Sequence, residues 1–187
     1  MIIACDVDGV LNNLMDVTLE VYNNAYETSY TLDDITTYNL ENCFEPEVAE
    51  RMKAIFDNPA VWKNVKPIEG SQDGLEALIN KGHQIYLATN NNPDTYGEKV
   101  KWIKRFYPFI EPSKIICIKD TWMLRADVII EDCLQTLLSK PYFHRVLMDY
   151  PWNQSTKDYV YDIHRCFNWH EIVDVINKIN EEESDVN

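Results

Sequence analysis

The sequence predicts a three-layer α/β protein, a doubly wound parallel sheet between helices, with a small helical cap inserted after the first strand. Three observations carry this. Five short runs (2–7, 84–89, 114–118, 127–131 and 145–149) are continuously apolar rather than alternating, as strands covered on both faces are. Amphipathic stretches separate most of them, which is the rhythm of βα units. That rhythm fails between residues 13 and 66, where no strand follows the first.

Taken in order, the run 2–7 opens the sheet and leads into Asp6-Val7-Asp8-Gly9. Segments 13–27 and 46–57 read as helices. The stretch that holds them is rich in aromatics: Tyr22, Tyr26, Tyr30, Tyr38, Phe44, Phe56 and Trp62. Residues 13–66 are therefore assigned to the cap, and 1–12 with 67–180 to the core. In Ser71–Lys81, Leu75, Leu78 and Ile79 share a helical face, with Ser71 as N-cap and Gly82 as the stop. Residues 94–107 place Val100, Ile103, Phe106 and Tyr107 at helical spacing. Residues 169–179 do the same with Ile172, Val175, Ile176 and Ile179. The acidic end, 181–187, is expected to fray.

Bulk properties narrow the function. A chain of 187 residues suits one α/β core with an insertion better than two independent domains. Its net charge of −14 repels nucleic-acid backbones and anionic membranes, so neither is an expected partner. The same field repels a small phosphate, so a phosphate site needs its own cation. Cys5, Cys43, Cys117, Cys133 and Cys166 are odd in number and show no C-x-x-C spacing. They read as reduced thiols of a cytoplasmic protein. There is no apolar run of the roughly 18 residues a membrane helix needs, and the chain starts directly on a strand without a basic leader. His83, His144, His164 and His170 have no zinc-ligand spacing. Oligomeric state is left open, with a homodimer as the candidate assembly.

The strand ends carry the chemistry. Open α/β sheets keep ligands at the carboxyl ends of their strands. There the sequence puts Asp6 and Asp8 after the first run, Thr89-Asn90 after the second, Lys119-Asp120 after the third and Glu131-Asp132 after the fourth. Two acids one residue apart are best explained by a divalent metal, and its usual client is a phosphate. Two anions approaching at ~4 Å repel by on the order of 4 kcal/mol at an effective dielectric near 20, which a metal and a lysine offset. Lys119 closes its strand while Lys114 opens it, so Lys119 is the expected cation. Asp127 begins its strand, away from this edge, and reads as structural.

Asp6-Val7-Asp8-Gly9-Val10, Thr89, Lys119 and Glu131-Asp132, in this order, resemble the four motifs of the haloacid dehalogenase-like phosphatases. More narrowly, the chain resembles the 5′(3′)-deoxyribonucleotidase family of cytosolic type C nucleotidases. That match rests on Lys66-Pro67-Ile68-Glu69-Gly70, on Ala126 to Asp132, and on Met148-Asp149-Tyr150-Pro151-Trp152-Asn153 followed by Phe167-Asn168-Trp169. The resemblance implies a Rossmann-like core and a phosphomonoesterase for (deoxy)nucleoside monophosphates. Asp6 would be the nucleophile that forms an aspartyl-phosphate, and Asp8 the acid and then base. Mg²⁺ would be held by Asp6, the Asp8 carbonyl and Asp132, and by Glu131 directly or through water. Thr89, Asn90 and Lys119 would contact the phosphate end of the substrate, and Trp62 the rest. Glu131 stands where relatives commonly carry Asp, and Asn90-Asn91-Asn92-Pro93 departs from the usual loop after the threonine. Two other readings compete: a phosphatase for another small phosphomonoester, such as a sugar phosphate or phosphoglycolate, and a non-catalytic phospho-acceptor domain. The second lacks both the cap and a use for Asp8.

Overall fold

Short, apolar, β-branched segments form the centre of the molecule because each is covered on both faces. In the computed structural model, which describes residues 1–90, 92–139, 142–154 and 162–186, they are β1 (Ile2–Cys5), β2 (Gln84–Thr89), β3 (Ile115–Cys117), β4 (Val128–Glu131), β5 (His144–Met148) and β6 (Ile163–Cys166). All pair in parallel, in the order β3-β2-β1-β4-β5-β6. The five expected strands are present within a few residues of their predicted limits. The sixth was not anticipated. It is an outer strand in which His164 and Arg165 are only half-buried between Ile163 and Cys166, so no continuous apolar run marks it.

Helices α3 (Ser71–Asn80), α4 (Pro93–Phe106), α5 (Leu134–Leu138) and α6 (Trp169–Val186) connect or follow the strands. Two local expectations are corrected. Gly70, in the left-handed region at φ 77°, is the N-cap of α3, and Ser71 lies inside the first turn. Its hydroxyl instead hydrogen-bonds Ile68 O and the Tyr107 hydroxyl. The acidic end does not fray at 181, because α6 continues to Val186. Glu183 pairs with His144, and Lys178 with Glu182. Residue 187 lies outside the described residues. Among those described, no helix is long and apolar enough to cross a membrane, and all five cysteines are free thiols.

Between β1 and α3 the chain is helical, with α1 (Leu14–Tyr26), α2 (Pro46–Phe56) and short 3₁₀ turns. This insert has two apolar faces. Leu14, Val17, Val61, Trp62 and Val65 join the main core. Leu19, Tyr22, Ile35 and Met52 form a separate cluster, completed from the strand side by Trp152.

The loop leaving β1 is fixed from three directions. Trp169 donates its indole N–H to Val10 O at 2.9 Å, Tyr107 its hydroxyl to Leu11 O at 3.0 Å, and Ile68 its amide to Leu11 O at 2.9 Å. Trp169 and Tyr107 are fully buried, so the acids at the start of this loop stand on a rigid base.

Candidate active site

β1 lies between β2 and β4, where the order of strands reverses, which is the crevice in which open sheets bind ligands. Parallel register brings Asp6 and Glu131 together: Cys5 pairs with Ile130, and Asp6 N donates to Ile130 O at 2.9 Å. One carboxylate oxygen each from Asp6, Glu131 and Asp132 lies within 4.8 Å of the others. Glu131 and Asp132 are buried, and Asp6 is half-buried.

These acids suit a hard divalent cation. Asp132 Oδ1 is buried without a hydrogen-bond partner, which is costly unless a cation meets it. Glu131 is better satisfied, since its Oε2 accepts from Cys133 N at 3.3 Å. The turn also leaves no spare room. Gly9 has φ 74°, and a Cβ there would stand 2.5 Å from Asp132 Oδ2. An all-oxygen donor set of this kind matches Mg²⁺ or Mn²⁺ rather than a softer metal.

Burial and mutual repulsion push the protonation of these acids upward. Burial first, then Glu131 and Asp8, push the Asp6 carboxyl well above the usual carboxylate range. Burial, then Asp6 and Asp8, do the same to Asp132. Burial and Asp132 raise Glu131 to about 8. Tyr38, half exposed on the insert, has its phenol pushed up chiefly by Asp132, with burial, Cys133, Asp6 and Glu131 adding.

Asp8 faces a different environment. Its Oδ1 accepts from Asn12 Nδ2 at 2.9 Å and its Oδ2 from Lys99 Nζ at 2.5 Å. Lys99 also donates to Thr89 Oγ1 at 2.8 Å and to Asn90 O at 3.2 Å. The lysine is only 2% exposed, so its charge acts where little water screens it. The Trp62 ring lies 5.5 Å from its ammonium.

Of the residues singled out in the sequence, Asp6, Glu131 and Asp132 form one group, and Asp8 and Thr89 meet at Lys99. Asn90 is exposed and offers its carbonyl to the same lysine, while Asn91 lies outside the described residues. Lys119 does not take the expected place. It is exposed past β3, and Lys99 of α4 is the cation on Asp8. Trp62, expected against the substrate, is 4% exposed and packed edge-on to Trp102, so it supports Lys99 and offers no open ring face. Lys99 and Asn12 were both missed. The available signal for Lys99 was its place on the same face of α4 as Thr95, Ile103 and Phe106, where a surface lysine has no reason to be.

The family model for 5′ nucleotidase, deoxy (pyrimidine), cytosolic type C protein matches residues 1–181. The chain belongs to this family. A 5′(3′)-deoxyribonucleotidase of Bacillus subtilis is 27% identical over 174 residues, covering 91% of this chain and 95% of that protein. One of Clostridium acetobutylicum is 26% identical over 171 residues, covering 90% and 91%. In three dimensions the chain is similar to a haloacid dehalogenase-like protein of unknown function from Agrobacterium tumefaciens, with TM-score 0.68 at 13% identity over 96% of this chain and 98% of the other. A hydrolase from Pseudomonas syringae gives 0.58 at 13% over 95% and 98%. The fold is thus the Rossmann-like one of the haloacid dehalogenase group, and the type C nucleotidase is a phosphoric monoester hydrolase.

The acids predict a pH-dependent stability. The folded protein keeps the Glu131 proton up to about pH 8, whereas the unfolded chain releases it near 4.5. Between those values the native state binds more protons, so stability without metal falls as pH rises. A chelated sample should melt at a lower temperature at pH 8 than at pH 6 in calorimetry. Mg²⁺ should narrow the gap, as should Glu131→Gln in chelator.

Proposed function

We propose that the protein is a Mg²⁺-dependent, cytoplasmic phosphomonoesterase that converts (deoxy)nucleoside monophosphates to nucleoside and phosphate through an aspartyl-phosphate on Asp6. The observation that carries this reading is that one turn after β1 serves two unlike groups: Asp6 joins the acids that suit a cation, and Asp8, two residues on, pairs with Lys99 beside Thr89.

Asp6 would be the nucleophile, because it belongs to the acidic cluster and stands at the end of β1, two residues before Asp8 and its lysine. Its oxygen would bond to phosphorus as the ester P–O bond breaks, and Asp8 would pass a proton to the departing nucleoside oxygen. Asp8 would then take a proton from the water that attacks phosphorus and frees Asp6. Thr89 and Lys99 would hold the phosphate oxygens, Lys99 neutralising charge as it builds. Asp6, Asp132 and the Asp8 carbonyl would hold Mg²⁺, with Glu131 direct or through water. There the metal supplies charge neutralisation and alignment of nucleophile and phosphate. Residues 13–66 would act as the cap, presenting Tyr38 from above and excluding water.

Assignment of the cation to Lys99 separates two variants. Lys99→Met should lower kcat roughly 10²–10³-fold, the usual cost of removing one charged or oxyanion-hole donor. Lys119→Met should leave kcat essentially unchanged. Steady-state phosphate release measures both.

Phosphate release from a panel of dUMP, dTMP, dGMP, glucose 6-phosphate and phosphoglycolate tests the substrate class. The nucleotides should give kcat/KM at least roughly tenfold higher, a difference of about 1.4 kcal/mol at the transition state. Equal or faster turnover of the sugar phosphates would overturn the nucleotide reading. Asp6→Asn, losing at least about 10³-fold, controls for the nucleophile.

A further inference from the structure

The mechanism above makes no use of Trp152, yet this residue touches both halves of the molecule. It lies in a 3₁₀ turn, Pro151–Asn153, just past β5. Its ring completes the cluster of Leu19, Tyr22, Ile35 and Met52 in the insert, and it stacks on Tyr150 with centroids 4.1 Å apart and planes 6° from parallel. Despite this packing, its indole Nε1 is buried without a hydrogen-bond partner, as is Asp132 Oδ1.

These two orphans belong together. Indole N–H can only donate and a carboxylate oxygen can only accept. The two make no hydrogen bond with each other, yet the turn that carries Trp152 is fastened to Asp132 through the next residue, Asn153. The backbone between them is braced. Asn153 Nδ2 donates to Asp132 O at 2.9 Å and to Met148 O at 2.8 Å. Arg165 Nη1 donates to Asn153 Oδ1 and to Asp149 Oδ1, both at 2.7 Å, and Nη2 donates to Asn153 O at 3.1 Å. With the main chain of Asp132 held, the variable left is the orientation of its carboxylate. The neighbour able to set it is a ring whose own place depends on the insert.

We propose that Trp152 is a positioning residue that couples the packing of the insert to metal binding, its indole N–H orienting Asp132 Oδ1 toward the cation. The inference rests on reading Asp132 as a metal ligand and goes beyond it, since it makes metal affinity depend on side chains of the insert that touch no ligand. Partners that orient a ligating carboxylate typically change metal affinity 10–100-fold when removed.

The test titrates Mn²⁺ into the full chain and follows free Mn²⁺ by electron paramagnetic resonance, which needs no turnover. Trp152→Phe keeps an aromatic ring against Tyr150 and removes the donor, and its packing loss is read separately from the melting temperature. It should raise the Mn²⁺ Kd about tenfold or more with an unchanged circular dichroism spectrum. Ile35→Ala, which loosens the insert's cluster, should raise it in the same direction, roughly threefold or more, and add little in the Trp152→Phe background. A merely structural role would lower melting temperatures and leave the Kd alone. If the parent binds Mn²⁺ and Asp132→Asn abolishes binding, a Kd within twofold of the parent in both Trp152→Phe and Ile35→Ala overturns the coupling alone. A parent that binds no Mn²⁺, or Asp132→Asn that binds like the parent, overturns the metal reading and the coupling with it.

Discussion

Three carboxylates crowded at the end of two neighbouring strands are the constraint around which this molecule is arranged. Asp6, Glu131 and Asp132 bring ligand oxygens within 4.8 Å of one another, and Glu131 and Asp132 are only 4% and 6% exposed. At that separation and an effective dielectric of 20, each pair of charges repels by about 3.5 kcal/mol, before any loss of hydration. Folding alone gives no return for that cost. The cluster makes sense as a cation site whose ligand binding is paid for by the rest of the fold, as the unpartnered Asp132 Oδ1 indicates.

The surrounding structure keeps opposite demands apart. Asp6 is gathered with the other two acids. Asp8, by contrast, gains a buried ammonium, since Lys99 donates both to it and to Thr89. Two carboxylates one residue apart thus acquire different partners from the backbone geometry of a single turn. That turn is pinned by Trp169 and Tyr107, and Gly9 lets it pass close to Asp132. The insert packs its own apolar cluster against Trp152, which lies in the turn that Asn153 ties to Asp132, so one helical unit is joined to the acidic edge of the sheet.

Much of this is legible in the sequence because parallel sheets translate order along the chain into position in space. Once 2–7 and 127–131 are read as adjacent buried strands, Asp6 and Glu131-Asp132 must meet at one edge, and Thr89 must stand beside them. Features that depend on which way a side chain turns are not legible in the same way. Lys99 shares the apolar face of α4, which marks it as unusual, but that face alone does not say that its ammonium meets Asp8 and Thr89. Lys119 looked better because it follows a strand, but it points into solvent. Trp62 illustrates the same limit: an aromatic in the insert can line a pocket or fill a core, and only packing decides. β6 escaped because an edge strand need not be continuously apolar. The acidic end remained helical because Glu183 found His144, a contact made across 39 positions in the chain.

The central claim is that Asp6 and Asp132 share a divalent cation. Crystals grown with Mn²⁺ and measured for anomalous scattering test it most directly. The account predicts one strong peak about 2.1–2.3 Å from an oxygen of each of these two residues, with Lys99 still outside the coordination sphere. A fully loaded crystal with no peak between them, or with its peak on other residues, would contradict it.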